Sequence, residues 1–194
     1  METEAPALAE AVELLPVGSV AAATLEAIAE RLSRHVSLPC RQRPPLPALE
    51  LPRLADRNQI DALALLRALE ASCEPNHRIV VAITARDIAI PVFTFVFELA
   101  RRGGRVAVVS VVRADPEFYG LPADAGLRDI RTVVEIRHEL GHLAGLDHCP
   151  DHTCLMSYAG SVERVDARGE RFCADCFRRL PTWLSGGPAR EPAT

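Results

Sequence analysis

The sequence contains no lysine: all 22 basic residues are arginine, against 26 acidic residues, for a formal charge of -4. We read the missing lysine as a compositional bias of the source rather than a functional signal. The slight acidity leaves no electrostatic footprint for nucleic acid, so no nucleic-acid partner is expected. No run approaches the roughly 20 apolar residues that a membrane span needs, so no membrane partner is expected either. The opening stretch METEAPALAEAVELLPVG has no basic segment, and Glu10, Glu13 and Pro16 interrupt its apolar positions. That is not a signal peptide, and the expected compartment is cytoplasmic.

What is present reads as globular. Apolar residues make up 48 % and charged residues 25 %, and 194 residues suffice to bury most of the apolar surface of one domain. Residues 19–36 carry apolar positions at helical spacing with Ser19 as a cap, and residues 54–71 repeat the pattern. Proline keeps the stretch between them out of a helix. Residues 77–84 and 104–113 are β-branched runs bounded by breakers, hence strands, one or both central. Residues 92–100, VFTFVFELA, alternate and read as another strand. After a connecting loop over 114–126, residues 127–144 form the longest helical pattern of the second half, ended by Gly145. The predicted class is α/β, a mixed α+β arrangement. It divides into an N-terminal lobe over 1–145, a small loop-rich lobe over 146–185 and a disordered tail over 186–194.

Within the long helix lies HELGH. His138 and His142 are four residues apart and stack on one helical face, where two imidazoles reach the same ion. Glu139 stands beside them, placed to take a proton from a water molecule. Past a chain reversal at Gly145 comes His148, a third imidazole. Three neutral imidazoles with one open position are the pattern of a catalytic zinc rather than a closed structural one.

HELGHLAGLDH followed by Met156 resembles the metzincin metallopeptidase signature, and HELGHLAGLDHCPDHTCLM with the later CADC resembles the archaemetzincin family within that clan. The likeness spans about residues 78–180. It implies a metzincin-like fold, a twisted mixed sheet carrying the active-site helix plus a small zinc-stabilised lobe, in a single catalytic domain. It also implies a zinc metallopeptidase acting on a peptide or protein, with Glu139 as general base and Met156 as the Met-turn floor beneath the histidines. Tyr158, two places after Met156, resembles a tyrosine that in some metzincins stabilises the oxyanion; a packed or surface tyrosine is the plainer reading. The 16 residues between Met156 and Cys173 are one fewer than the family pattern.

The cysteines bear on a second ion. Cys173 and Cys176 form a CxxC knuckle, and Cys149 and Cys154 supply another pair, enough for a tetrahedral structural zinc. Adjacent residues of extended chain point to opposite sides, so His148 and Cys149 should face different ions. Two zincs per chain are expected, in a monomer. A disulfide pairing is the alternative, disfavoured where thiols stay reduced. Asp151 and His152 read as solvent-facing, Asp147 as a turn residue or a partner of a histidine. His35, His77, Cys40 and Cys73 have no motif context. Two other functional readings stand beside peptidase: a zinc-stabilised binding module with little or no activity, and a zinc hydrolase of another amide. Glu139 weighs against the first, since binding alone needs no base beside the metal.

Overall fold

The computed structural model describes residues 9–46, 51–55, 57–72 and 78–185. The readings of Cys73, His77 and the tail over 186–194 lie outside them. The two β-branched runs form β4 (Arg78–Thr84) and β7 (Val106–Ser110), which pair in parallel. Both are buried, as near-continuous apolar strands covered on two faces must be.

Beside β4 lies a strand absent from the sequence reading, β1 (Ala11–Val17), parallel over seven residue pairs from Ala11 with Arg78 to Val17 with Thr84. Glu13 and Pro16 hid it. Glu13 is buried but paired with Arg78, Nη1 to Oε1 at 2.9 Å, and with Arg43 at 3.5 Å. The carbonyls of Leu14 and Pro16 accept from Arg43 and Leu46, on the side of the short strand β2 (Cys40–Gln42). The nitrogen of Pro16 faces that same side, beyond the last β2 residue, where no ladder donor is required.

The helix read at 19–36 is shorter, α1 (Ala22–Ser33), and its N-cap is Ala21, without a side-chain bond, in place of Ser19. The helix read at 54–71 begins only at Ala62 in α2 (Ala62–Ser72). Asp61 Oδ1 accepts from Ala64 N at 3.0 Å, while Ile60–Asp61 form β3, paired with β5 (Ile88–Ala89). The aromatic alternation over 92–100 overstated its strand: only β6 (Glu98–Ala100) is regular, and Val92 and Phe93 are exposed.

The main sheet runs in the order β2-β1-β4-β7-β6, with β6 the antiparallel edge strand. It is thus a mixed sheet, as expected. Val12 and Leu14 belong with Ile28 and Ile136 to one core, Leu15 and Val17 with Leu65 and Leu66 to another. One sheet face is therefore covered by α1 and the long helix α3 (Ala125–Leu143), the other by α2. Asp124 caps α3, its Oδ1 accepting from Leu127 N at 2.9 Å, and Gly145 follows with φ +94°, a conformation costly to any side chain. Downstream, the chain that read as loop carries three short helices, α4 (Val162–Ala167), α5 (Ala174–Arg178) and α6 (Thr182–Ser185). Each is too short to leave a clear periodic pattern.

Candidate active site and metal centres

The face of α3 turned to the C-terminal segment carries His138 and His142, whose Nε2 atoms lie 3.1 Å apart. The reversal at Gly145 returns His148 to them, with ring centroids 5.3 Å from His138 and 4.8 Å from His142. One nitrogen from each of the three rings falls within 4.8 Å of the others. The outer nitrogens are occupied: His138 Nδ1 bonds the Leu155 carbonyl at 2.8 Å and His142 Nδ1 the Leu146 carbonyl at 2.9 Å. A carbonyl only accepts, so each Nδ1 carries the proton and each Nε2 lone pair points inward. Burial lowers the pKa of all three histidines, most strongly His138, where Arg168 adds to the effect. Neutral imidazoles with oriented lone pairs fit a zinc ion.

Glu139 is buried beside them. Burial, then the Glu135 carboxylate, push its pKa up to about 8, against an opposing pull from Arg168. Its Oε2 has no partner among the described residues. Two further carboxylates that the sequence reading missed share this place. Glu98 of β6 pairs with Val109, a residue of the α3-side core, so its side chain is directed at α3. Burial and then Glu135 push its pKa far above the usual carboxylate range. Glu135, one turn before Glu139, pairs with Arg168, each 1 % exposed at the side chain. The i, i+4 spacing of Glu135 and Glu139 was a legible signal; nothing local pointed to Glu98 or Arg168.

Met156 is fully buried, and a Cβ built on Gly141 would lie 2.3 Å from its Sδ. The glycine between the two histidines is what lets the methionine come up under the helix. Tyr158 is 64 % exposed, with its ring 5.4 Å from that of His148. Asp147 pairs with Arg102, 3.0 Å from its Nη1, and its charge still acts on His142 and His148. Asp151 folds back on Thr153 N and Oγ1, and His152 is exposed.

The second cluster is separate. The sulfurs of Cys149, Cys154, Cys173 and Cys176 lie within 4.8 Å of one another. The five described cysteines are free thiols. Cys149 N donates to Met156 O at 2.8 Å, which ties the residue after His148 to the methionine. Cys154 Sγ accepts from Met156 N at 3.4 Å and from Cys173 N at 3.3 Å. Amide donors aimed at sulfur favour thiolate, whereas burial raises Cys154 to about 11 and raises Cys176 as well. Four sulfurs so arranged are a donor set that a zinc ion would complete.

The family model described as peptidase family M54 matches residues 61–182. The archaemetzincin of Pyrococcus horikoshii is 42 % identical over 127 residues, 65 % of this chain and 68 % of its own length. The archaemetzincin of Methanopyrus kandleri is 38 % identical over 172 residues, 84 % of this chain and 91 % of its own. Among solved structures, a zinc-dependent peptidase from Methanocorpusculum labreanum superposes with a TM-score of 0.77 at 28 % identity, covering 88 % of this chain and 100 % of that one.

Proposed function

The chain belongs to peptidase family M54, and from that membership we infer that it is a zinc-dependent metallopeptidase using the residues of the α3 site. The observation that carries this reading is the convergence of three inward-facing imidazoles with the buried Glu139 beside them. His138, His142 and His148 would hold the zinc, which when bound supplies a Lewis acid for the substrate carbonyl, lowers the pKa of water toward about 7 and favours anionic Glu139.

The chain's own residues do the proton work. The Glu139 carboxylate accepts a proton from the attacking water and passes it to the nitrogen of the departing amine. Tyr158, exposed next to His148, is free to turn its hydroxyl toward the developing oxyanion. A substrate in extended form would add as a strand along β6, the edge strand over α3.

We propose two zinc ions per chain, the second held by Cys149, Cys154, Cys173 and Cys176. It would brace the turn between His148 and Met156 from behind, so that residues 146–185 act as a metal-stapled lobe on the catalytic body. Free cysteines at that spacing suit a reducing compartment, and among the described residues no helix is long and apolar enough to cross a membrane.

The test is a peptide-library digest with the parent chain and Glu139→Ala. The parent cleaves, whereas the variant keeps its zinc and loses about 10²-fold or more in rate. Turnover persisting at the parent rate in the variant would remove Glu139 from the mechanism.

A further inference from the structure

Arg168 ends α4, its N–H bonding the Arg164 carbonyl, and its side chain reaches residues 11 to 33 positions earlier in the chain. Its side chain is 1 % exposed. Nη2 pairs with Glu135 on α3; Nη1 donates to the Ser157 carbonyl at 3.0 Å, immediately after Met156, and lies 2.9 Å from His138 Nδ1. With the His138 proton directed at the Leu155 carbonyl, that last contact is a wall behind the ring rather than a hydrogen bond. The backbone here is pinned from the opposite side. Gly169 N donates to Thr153 O at 3.0 Å, so close that a Cβ on Gly169 would lie 2.2 Å from that oxygen.

We propose that Arg168 is a positioning residue for hydrolysis: it ties the turn after Met156 to Glu135 on α3, fixes the His138 ring between them, and keeps the Glu135 carboxylate engaged and away from Glu139. The inference rests on the peptidase reading of the site. Stability alone is a poor reason for this pair. A buried ion pair returns little over two well-packed apolar side chains, because both charges lose their hydration. The surroundings give it another reason: three carboxylates, Glu98, Glu135 and Glu139, meet on one side of α3 around this one arginine. Glu135 is a turn from Glu139 on the same helical face, and Arg168 Nη2 holds its Oε1, while Glu135 Oε2 has no partner among the described residues.

The experiment uses the full chain as Arg168→Lys and as the apolar double variant Glu135→Leu/Arg168→Met. It reads melting temperature, kcat and KM on a cleaved peptide, and the affinity for the more weakly held zinc by competition with a chelating dye. Expected is a folded double variant whose kcat or zinc affinity falls about 10- to 100-fold, as for other residues that orient a ligand from behind, with KM within about threefold. Lysine keeps the charge without the fork, and Arg168→Lys should fall between. A double variant with the parent's kcat and zinc affinity overturns the proposal. So does one that fails to fold, since the pair would then be a structural requirement. If the parent cleaves no peptide, the functional reading fails by itself and zinc affinity still decides on Arg168.

Discussion

Gly141 stands between His138 and His142, where alanine would ordinarily strengthen a helix by roughly 0.5–1 kcal/mol. Here a Cβ would meet Met156 Sδ at 2.3 Å and Phe172 at 3.4 Å, and Met156 is fully buried. Gly141→Ala should therefore destabilise, by about 1–3 kcal/mol in a denaturant titration, and slow cleavage by lowering the methionine floor. At Gly169 the obstacle is the Thr153 carbonyl, which a side-chain rotation cannot relieve. Gly169→Ala should cost more than Gly141→Ala, and the reverse order would mean that the Cys149–Cys154 loop yields easily. His35 gives a pH dependence. Burial, then Arg137 and Arg34, lower its pKa to about 4 from 6.5, and the cavity it lines between α1 and α3 holds, among the described residues, one carboxylate, Glu170. The unfolded chain therefore takes a proton at higher pH than the folded one. The stabilisation is fully present above about 6.5 and is lost as pH falls toward about 4. His35→Leu should flatten the fall of melting temperature across that window; an unchanged slope would show that other groups dominate it.

Among the elements, α3 is built from local rules, whereas the segment after it is held from outside. α3 has a capping aspartate, a buried face and a terminating glycine in the left-handed region. Residues 146–185 offer only helices of six, five and four residues, with the four cysteines at their centre. Metal analysis should therefore find two zincs per chain: one released readily by a chelator, with loss of cleavage, and one released only as the lobe melts. Cys154→Ser should leave one zinc and a lower melting temperature. A single zinc in folded, reduced parent protein would exclude the second centre. Element boundaries that the sequence misplaced failed for physical reasons. β1 carries an acid that Arg78 and Arg43 neutralise, and a proline whose nitrogen lies beyond the last residue of β2. The run 92–97 alternates without forming a regular strand, because the turn after β5 interrupts it; Val96 makes a single bridge to Ile88 and the Phe97 carbonyl a single bond to Ser110 N before the ladder of Glu98–Ala100 with β7 begins.

At the scale of the whole molecule, the sheet puts its antiparallel edge next to the helix that bears the histidines, and the C-terminal segment closes the other side. The placing of His138 and His142 together, with Glu139 beside them, was legible in the chain, because a helix converts a four-residue spacing into a shared face without help from other segments. Gly145, His148, Cys149 and Cys154 were readable because they fall at short intervals after the helix, and Cys173 with Cys176 because two cysteines three apart form a knuckle, whereas Met156 was read from the family resemblance alone. Only the tertiary structure decided the surroundings of that site. Glu98 faces Glu135 and Glu139 because of the register between β6 and β7, and Arg168 reaches Glu135 across 33 residues of chain because Gly169 lets two backbones touch. Local spacing places the ligands; the packing of distant segments sets the charge and rigidity around them, and no periodicity in the chain records it.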